Sequence, residues 1–227
     1  MLERQTLATP DGQTFQIRIA YPSDGKPAPA LVMLHEWYGV TPETERMARQ
    51  FADAGFVVAA VDMYGGKVAD DATEAAALMQ AMDSLESAKL VRAAVIALAE
   101  RPEVNGGVGV LGFCMGGAVT FVCACSVPEA RAFAPFYGIP DASKVDWTQV
   151  RAPIEAHFAS VDAWATPEKA QAAIDSVNAA GGNARVHLYE GGHAFMRASD
   201  STVYHEASAK LAFQRCIAFF HEHLDAR

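Results

Sequence analysis

The 227-residue sequence predicts an α/β fold, with a mostly parallel central sheet, helices on both faces and an N-terminal antiparallel hairpin. Three observations predict it. Short, almost wholly apolar runs alternate with longer stretches of helical character, the mark of strands covered on both faces. One of those runs, Val108 to Leu111, leads through Gly112-Phe113-Cys114-Met115-Gly116-Gly117 straight into an apolar helical run, Ala118 to Cys125. Residues able to do chemistry fall where the apolar runs stop, and sheets of this kind bind ligands at the carboxyl ends of their strands.

Thr6 to Ala8 and Thr14 to Ala20 read as a hairpin around Thr9-Pro10-Asp11-Gly12, whose composition is that of a turn. Ala30 to His35 is the first buried strand. Thr41-Pro42-Glu43 opens a helix, with threonine as cap and proline at the first helical position, and Gly55 ends it. Phe56 to Val61 is the next strand. Asp70 to Glu100 divides into two helices, about 72–82 and 84–100, because Asp83-Ser84-Leu85-Glu86 has the form of a capping box. Asn105-Gly106-Gly107 is expected to turn the chain into the strand that precedes Cys114. Ala132 to Tyr137, Pro153 to Ala159 and Ala184 to Tyr189 complete the strands. Helices are expected from Thr166-Pro167-Glu168 to Gly181-Gly182 and from Ser201 to His223.

Composition narrows the function classes. A hydrophobic fraction of 51% with 20% charged residues is that of a globular chain, and 1–227 is expected to be one domain. A formal net charge of -9 lacks the basic footprint of a nucleic-acid binder. No apolar run reaches membrane-spanning length, and Met1-Leu2-Glu3-Arg4-Gln5-Thr6 has no signal-peptide core, so a cytoplasmic location is expected. Cys114, Cys123, Cys125 and Cys216 are then reduced thiols. Gly107-Val108-Gly109-Val110-Leu111-Gly112 fits a dinucleotide fingerprint only in its letters, because the residues between the glycines are themselves the strand. His221 and His223 are expected to be solvated, and His157 and His187 to be structural.

The turn at Cys114 has the form G-x-S-x-G, with cysteine in place of serine, and this is the nucleophile elbow of the α/β-hydrolase fold. Its glycines allow strand and helix to pack closely on either side of a strained residue. The sulfur sits at a helix N-terminus, where unpaired N–H groups favour thiolate. A nucleophile needs a base, and the base needs an orienting group. His193, in Gly191-Gly192-His193, follows the last strand; Asp162 follows the strand before it. The order nucleophile, acid, histidine is that of α/β-hydrolases. Backbone N–H groups of Met115 and of Trp37, in the loop after the first buried strand, are expected to form an oxyanion hole.

Gly-Phe-Cys-Met-Gly-Gly at the elbow, Glu36, Asp62-Met63-Tyr64-Gly65 and Gly192-His193-Ala194-Phe195 resemble the dienelactone hydrolases over almost the whole chain. The resemblance implies a Cys114, Asp162, His193 triad, and Glu36 as a carboxylate contacting the resting thiol. It implies Arg197 as a grip for a substrate carboxylate. Tyr64, like Trp37, Tyr38 and Trp164, sits at a strand end, where it either lines the substrate site or packs in the core or rim, and Met79 is expected at the substrate site. Members that cleave dienelactones are similar in carrying an arginine and bulky aromatics on the helix after the second buried strand. Ala72, Ala76 and Met79 fall there instead, so the machinery is kept while the substrate grip differs. The implied function is hydrolysis of a small carboxylic ester or lactone through a cysteine acyl-enzyme, by a monomer or small homo-oligomer without metal or cofactor. Thioester cleavage or acyl transfer on the same residues, and a hydrolase-like protein with a redox-sensing thiol, are the alternatives.

Overall fold

A computed structural model describes residues 2–226. Its eight strands form one sheet in the order β1-β2-β4-β3-β5-β6-β7-β8. The hairpin β1 (Glu3–Ala8) and β2 (Thr14–Ala20) is antiparallel and forms one edge, with β2 also antiparallel to β4 (Val57–Val61). The remaining pairings are parallel: β4 with β3 (Ala28–Leu34), β3 with β5 (Val104–Phe113), then β6 (Ala132–Phe136), β7 (Ile154–Ala159) and β8 (Ala184–Tyr189).

Alternate residues of the central strands feed two cores. Val32, Leu34, Ala59, Val61 and Val110 pack with α3 (Ser84–Ala99), α4 (Met115–Ser126) and α5 (Pro167–Ala179). Leu31, Met33, Val58, Ala60, Leu111 and Phe113 pack on the other face with α1 (Pro42–Asp53) and α6 (Glu206–Leu224). This two-sided burial explains why those runs are apolar throughout. The cap of α1 forms as its sequence directs: the Thr41 hydroxyl accepts from the Thr44 N–H, with Pro42 at the first position.

Four expectations are corrected. Asn105-Gly106-Gly107 is part of β5 rather than a turn. The glycines serve close packing there: a Cβ on Gly106 would meet the Leu224 carbonyl at 2.4 Å, and one on Gly107 the Arg131 side chain at 2.5 Å. Asp83 caps α3 through the Leu85 N–H, but Glu86 pairs with Lys89, so the box is half formed. The last helix begins at Glu206, because Asp200 binds the Thr202 N–H and hydroxyl and holds residues 200–204 in turns. His221 is not merely solvated; it reaches the Ala54 carbonyl through Nε2 at 3.2 Å and stacks on Phe56.

Candidate active site

Cys114 stands between β5 and α4 with φ 55° and ψ -117°, a conformation that side chains rarely occupy. Tight packing holds it there. A Cβ on Gly112 would meet the Gly116 carbonyl at 2.2 Å, and a Cβ on Gly116 would meet the Leu34 and His35 carbonyls at 2.7 Å. The elbow is therefore pressed against the β3–α1 loop that carries Glu36 and Trp37. Cys114 N–H also donates to the Phe136 carbonyl at 3.0 Å. The other two non-glycine residues with positive φ among those described, Tyr137 and Ala194, adjoin the same site.

The loop after β7 brings Asp162 and the loop after β8 brings His193 to the sulfur. His193 Nε2 lies 3.1 Å from Cys114 Sγ, and His193 Nδ1 lies 2.7 Å from Asp162 Oδ2. Asp162 Oδ1 accepts from the Trp164 and Ala165 N–H groups at 2.8 and 3.0 Å, so the carboxylate is fixed by its own loop. Burial would raise the Asp162 pKa, but the histidine and these amides outweigh it and the net shift is downward. Burial likewise opposes charge on His193, yet its hydrogen bonds to Asp162 and Cys114 prevail and raise it to about 10.

Met115 occupies the first position of α4, where a backbone N–H has no acceptor within the helix. Its side chain accepts a hydrogen bond through sulfur from the Tyr64 hydroxyl at 3.0 Å. Burial pushes the Tyr64 pKa up, which keeps it a donor. His35 fixes the loop that carries Trp37. Its Nε2 accepts from the Met63 N–H at 3.1 Å, so Nδ1 is left to donate to the Glu36 carbonyl at 2.6 Å. Burial depresses the His35 pKa, and the ring is neutral.

Two residues depart from their expected places. Glu36 was expected at the thiol, but its Oε2 accepts from Arg197 Nε at 2.6 Å and its Oε1 from the Tyr137 hydroxyl at 3.3 Å. The guanidinium and the hydroxyl, both charge-stabilising donors, take the carboxylate. Arg197 is also 3.9 Å from Asp200 and lies over the Tyr38 ring. A substrate carboxylate would have to compete with Glu36 for it. Met79 is 40% exposed on α2 (Ala72–Ala81), a helix whose small residues bury only Ala75 and leave it without a large apolar docking face. A cavity of about 470 Å³ has Glu36, Tyr38, Glu43, Phe113, Arg197 and Asp200 in its wall, but not Met79, Cys114 or His193.

Sequence reading missed Tyr137, whose ring stands edge-on to His193 at 5.3 Å between centroids while its hydroxyl meets Glu36. Its position just after an apolar strand was the available signal, but the strand expectation absorbed it.

Comparison with known proteins places the chain in a family. The sequence profile of the dienelactone hydrolase family matches residues 15–224. The chain is 32% identical over 217 residues to protein usf of Aquifex pyrophilus, covering 91% of this chain and 92% of that one. It is 29% identical over 232 residues to a carboxymethylenebutenolidase of Pseudomonas putida, covering 96% of each. A putative dienelactone hydrolase structure from Klebsiella pneumoniae superposes with a TM-score of 0.82 at 22% identity, covering 98% of this chain and 100% of the other. The fold is that of the α/β-hydrolases, and the chain belongs to the dienelactone hydrolase family.

Proposed function

We propose that this protein hydrolyses a carboxylic ester or lactone through a thioester on Cys114. The observation that carries the reading is the unbroken hydrogen-bond chain from Asp162 through His193 to the elbow sulfur. His193 Nε2, 3.1 Å from the sulfur, is placed to take its proton and pass it on. The sulfur attacks the ester carbonyl, and the N–H groups of Met115 and Trp37 receive the oxyanion. Collapse breaks the bond to the alcohol oxygen as Nε2 hands it a proton, and the acyl group stays on sulfur. An acylated sulfur no longer supports the charge on the ring. The neutral ring then takes a proton from water, which attacks the thioester and releases the acid. Asp162 holds the tautomer throughout.

The carboxymethylenebutenolidases among the relatives support a lactone substrate class. Thioester cleavage and acyl transfer use the same residues and differ in the acceptor. Among the described residues no helix is long and apolar enough to cross a membrane, and all four cysteines are free, which is in keeping with a cytoplasmic enzyme.

The test is to mix 4-nitrophenyl acetate with the parent and with Cys114→Ala, following product release and intact mass. The parent is expected to show an acetyl adduct on Cys114 and at least ~10³-fold faster release. Equal rates, or oxidation products without an acyl adduct, would overturn the reading.

A further inference from the structure

We infer that Trp164 and Val161 form an apolar platform for the alcohol side of the substrate, so the preferred substrate is an uncharged ester whose leaving alcohol carries a flat apolar group. This rests on the esterase reading above.

The atoms of the first half-reaction locate the group. The S–C bond forms, the C–O bond breaks, and the proton on His193 Nε2 moves to the departing oxygen. That oxygen must lie within hydrogen-bond reach of Nε2, so whatever it bears lies beside the imidazole. Trp164 stands there already, its ring edge-on to His193 with centroids 5.2 Å apart. Despite this contact the indole is 70% exposed, and Val161, one residue before Asp162, is 76% exposed. These are two large apolar side chains left to solvent on the loop that orients the histidine.

The platform is pre-ordered. The Trp164 N–H is held by Asp162 at 2.8 Å and its carbonyl by Lys169 Nζ at 3.0 Å, while the Val161 N–H donates to the Gly191 carbonyl at 3.2 Å. An aryl group therefore gains contact area without first paying to order the loop. Electrostatics points the same way. Arg197 faces Glu36 and Asp200, and Glu43 shares the cavity wall, so a charged acid finds no uncommitted cation there.

The test compares benzyl butyrate with methyl butyrate, which form the same acyl-enzyme from alcohols of like acidity. The parent is expected to show a kcat/KM about tenfold higher for the benzyl ester. Trp164→Ala is expected to remove most of that preference, Trp164→Phe to keep it, and Val161→Asp to reduce it. Because deacylation is common to both esters, the change belongs in kcat/KM. An indole that only shields the histidine would lower both esters equally, and an unchanged ratio in Trp164→Ala overturns the inference alone. A parent that is acylated by 4-nitrophenyl acetate but turns over neither butyrate overturns the platform and leaves the esterase reading standing; a parent that is not acylated overturns both.

Discussion

At the scale of single residues, the site is set by where a Cβ cannot go and where a proton is held. Gly112 has backbone on the side where a methyl would point, at 2.2 Å, and that backbone belongs to the elbow itself. Gly112→Ala is expected to cost about 3 kcal/mol in urea unfolding, by overpacking against atoms that cannot yield. His193 carries a pH signature. Its folded pKa of about 10 stands above the ordinary ~6.5 of an unfolded histidine. The resulting stabilisation is complete below the unfolded value and is lost as pH rises through the folded one. Relative to His193→Gln, the parent should show its greatest extra stability at about pH 6 and lose the advantage by about pH 11. A difference that does not vary with pH would count against a charged ring. Asp162→Asn leaves the shape of the site but permits the wrong tautomer, and is expected to lower kcat by about 10²–10⁴.

At the scale of elements, the informative positions are joints. The C-terminus of α1 meets α6 through His221, which hydrogen-bonds the Ala54 carbonyl and stacks on Phe56 with centroids 4.4 Å apart. His221→Ala is expected to cost about 1–2 kcal/mol, read as a lower urea midpoint with an unchanged slope. The start of β5 is a second joint, where α6 lies against strand glycines. Most element types were legible because caps and periodicity agree locally, as at Thr41-Pro42 and Thr166-Pro167. The glycines of β5 misled for a physical reason. Glycine signals either a turn or a close approach, and only the far end of the chain, at Leu224, decides between them.

At the scale of the whole molecule, the sheet edge away from the hairpin carries a polar cluster outside the reaction. Glu155, 2% exposed on β7, pairs with Arg185 Nε at 2.6 Å and His187 Nε2 at 3.2 Å, and its other oxygen faces His157 Nε2 at 3.5 Å. Burial drives the His157 pKa well down, and Tyr189 meets its Nδ1 at 2.8 Å. The strand histidines thus meet Glu155 and Tyr189, but His157 Nε2 and the Glu155 oxygen it faces lack a hydrogen-bond partner among the described residues. Glu155→Ala strips a buried acceptor from this cluster and is expected to cost about 2–4 kcal/mol. The folded fraction should keep the kcat of the parent, because Glu155 and Arg185 lie at the starts of β7 and β8, away from the strand ends that carry Asp162 and His193. A loss of kcat without loss of stability would show that the cluster reaches the site.

The sequence by itself determined the strand–helix alternation, the elbow at Cys114, and the chain positions of Asp162 and His193. These follow from local pattern, because burial on two faces, a tight turn and a strand end each leave a mark on neighbouring residues. Only the tertiary structure decided which charges meet. Glu36 and Arg197 lie 161 residues apart and pair at 2.6 Å, which no local pattern encodes. It also decided that Met79 stays outside the cavity wall and that Trp164 stands exposed beside His193. The candidate site was legible because its residues sit at strand ends, whereas its contacts were not, because they form between distant loops.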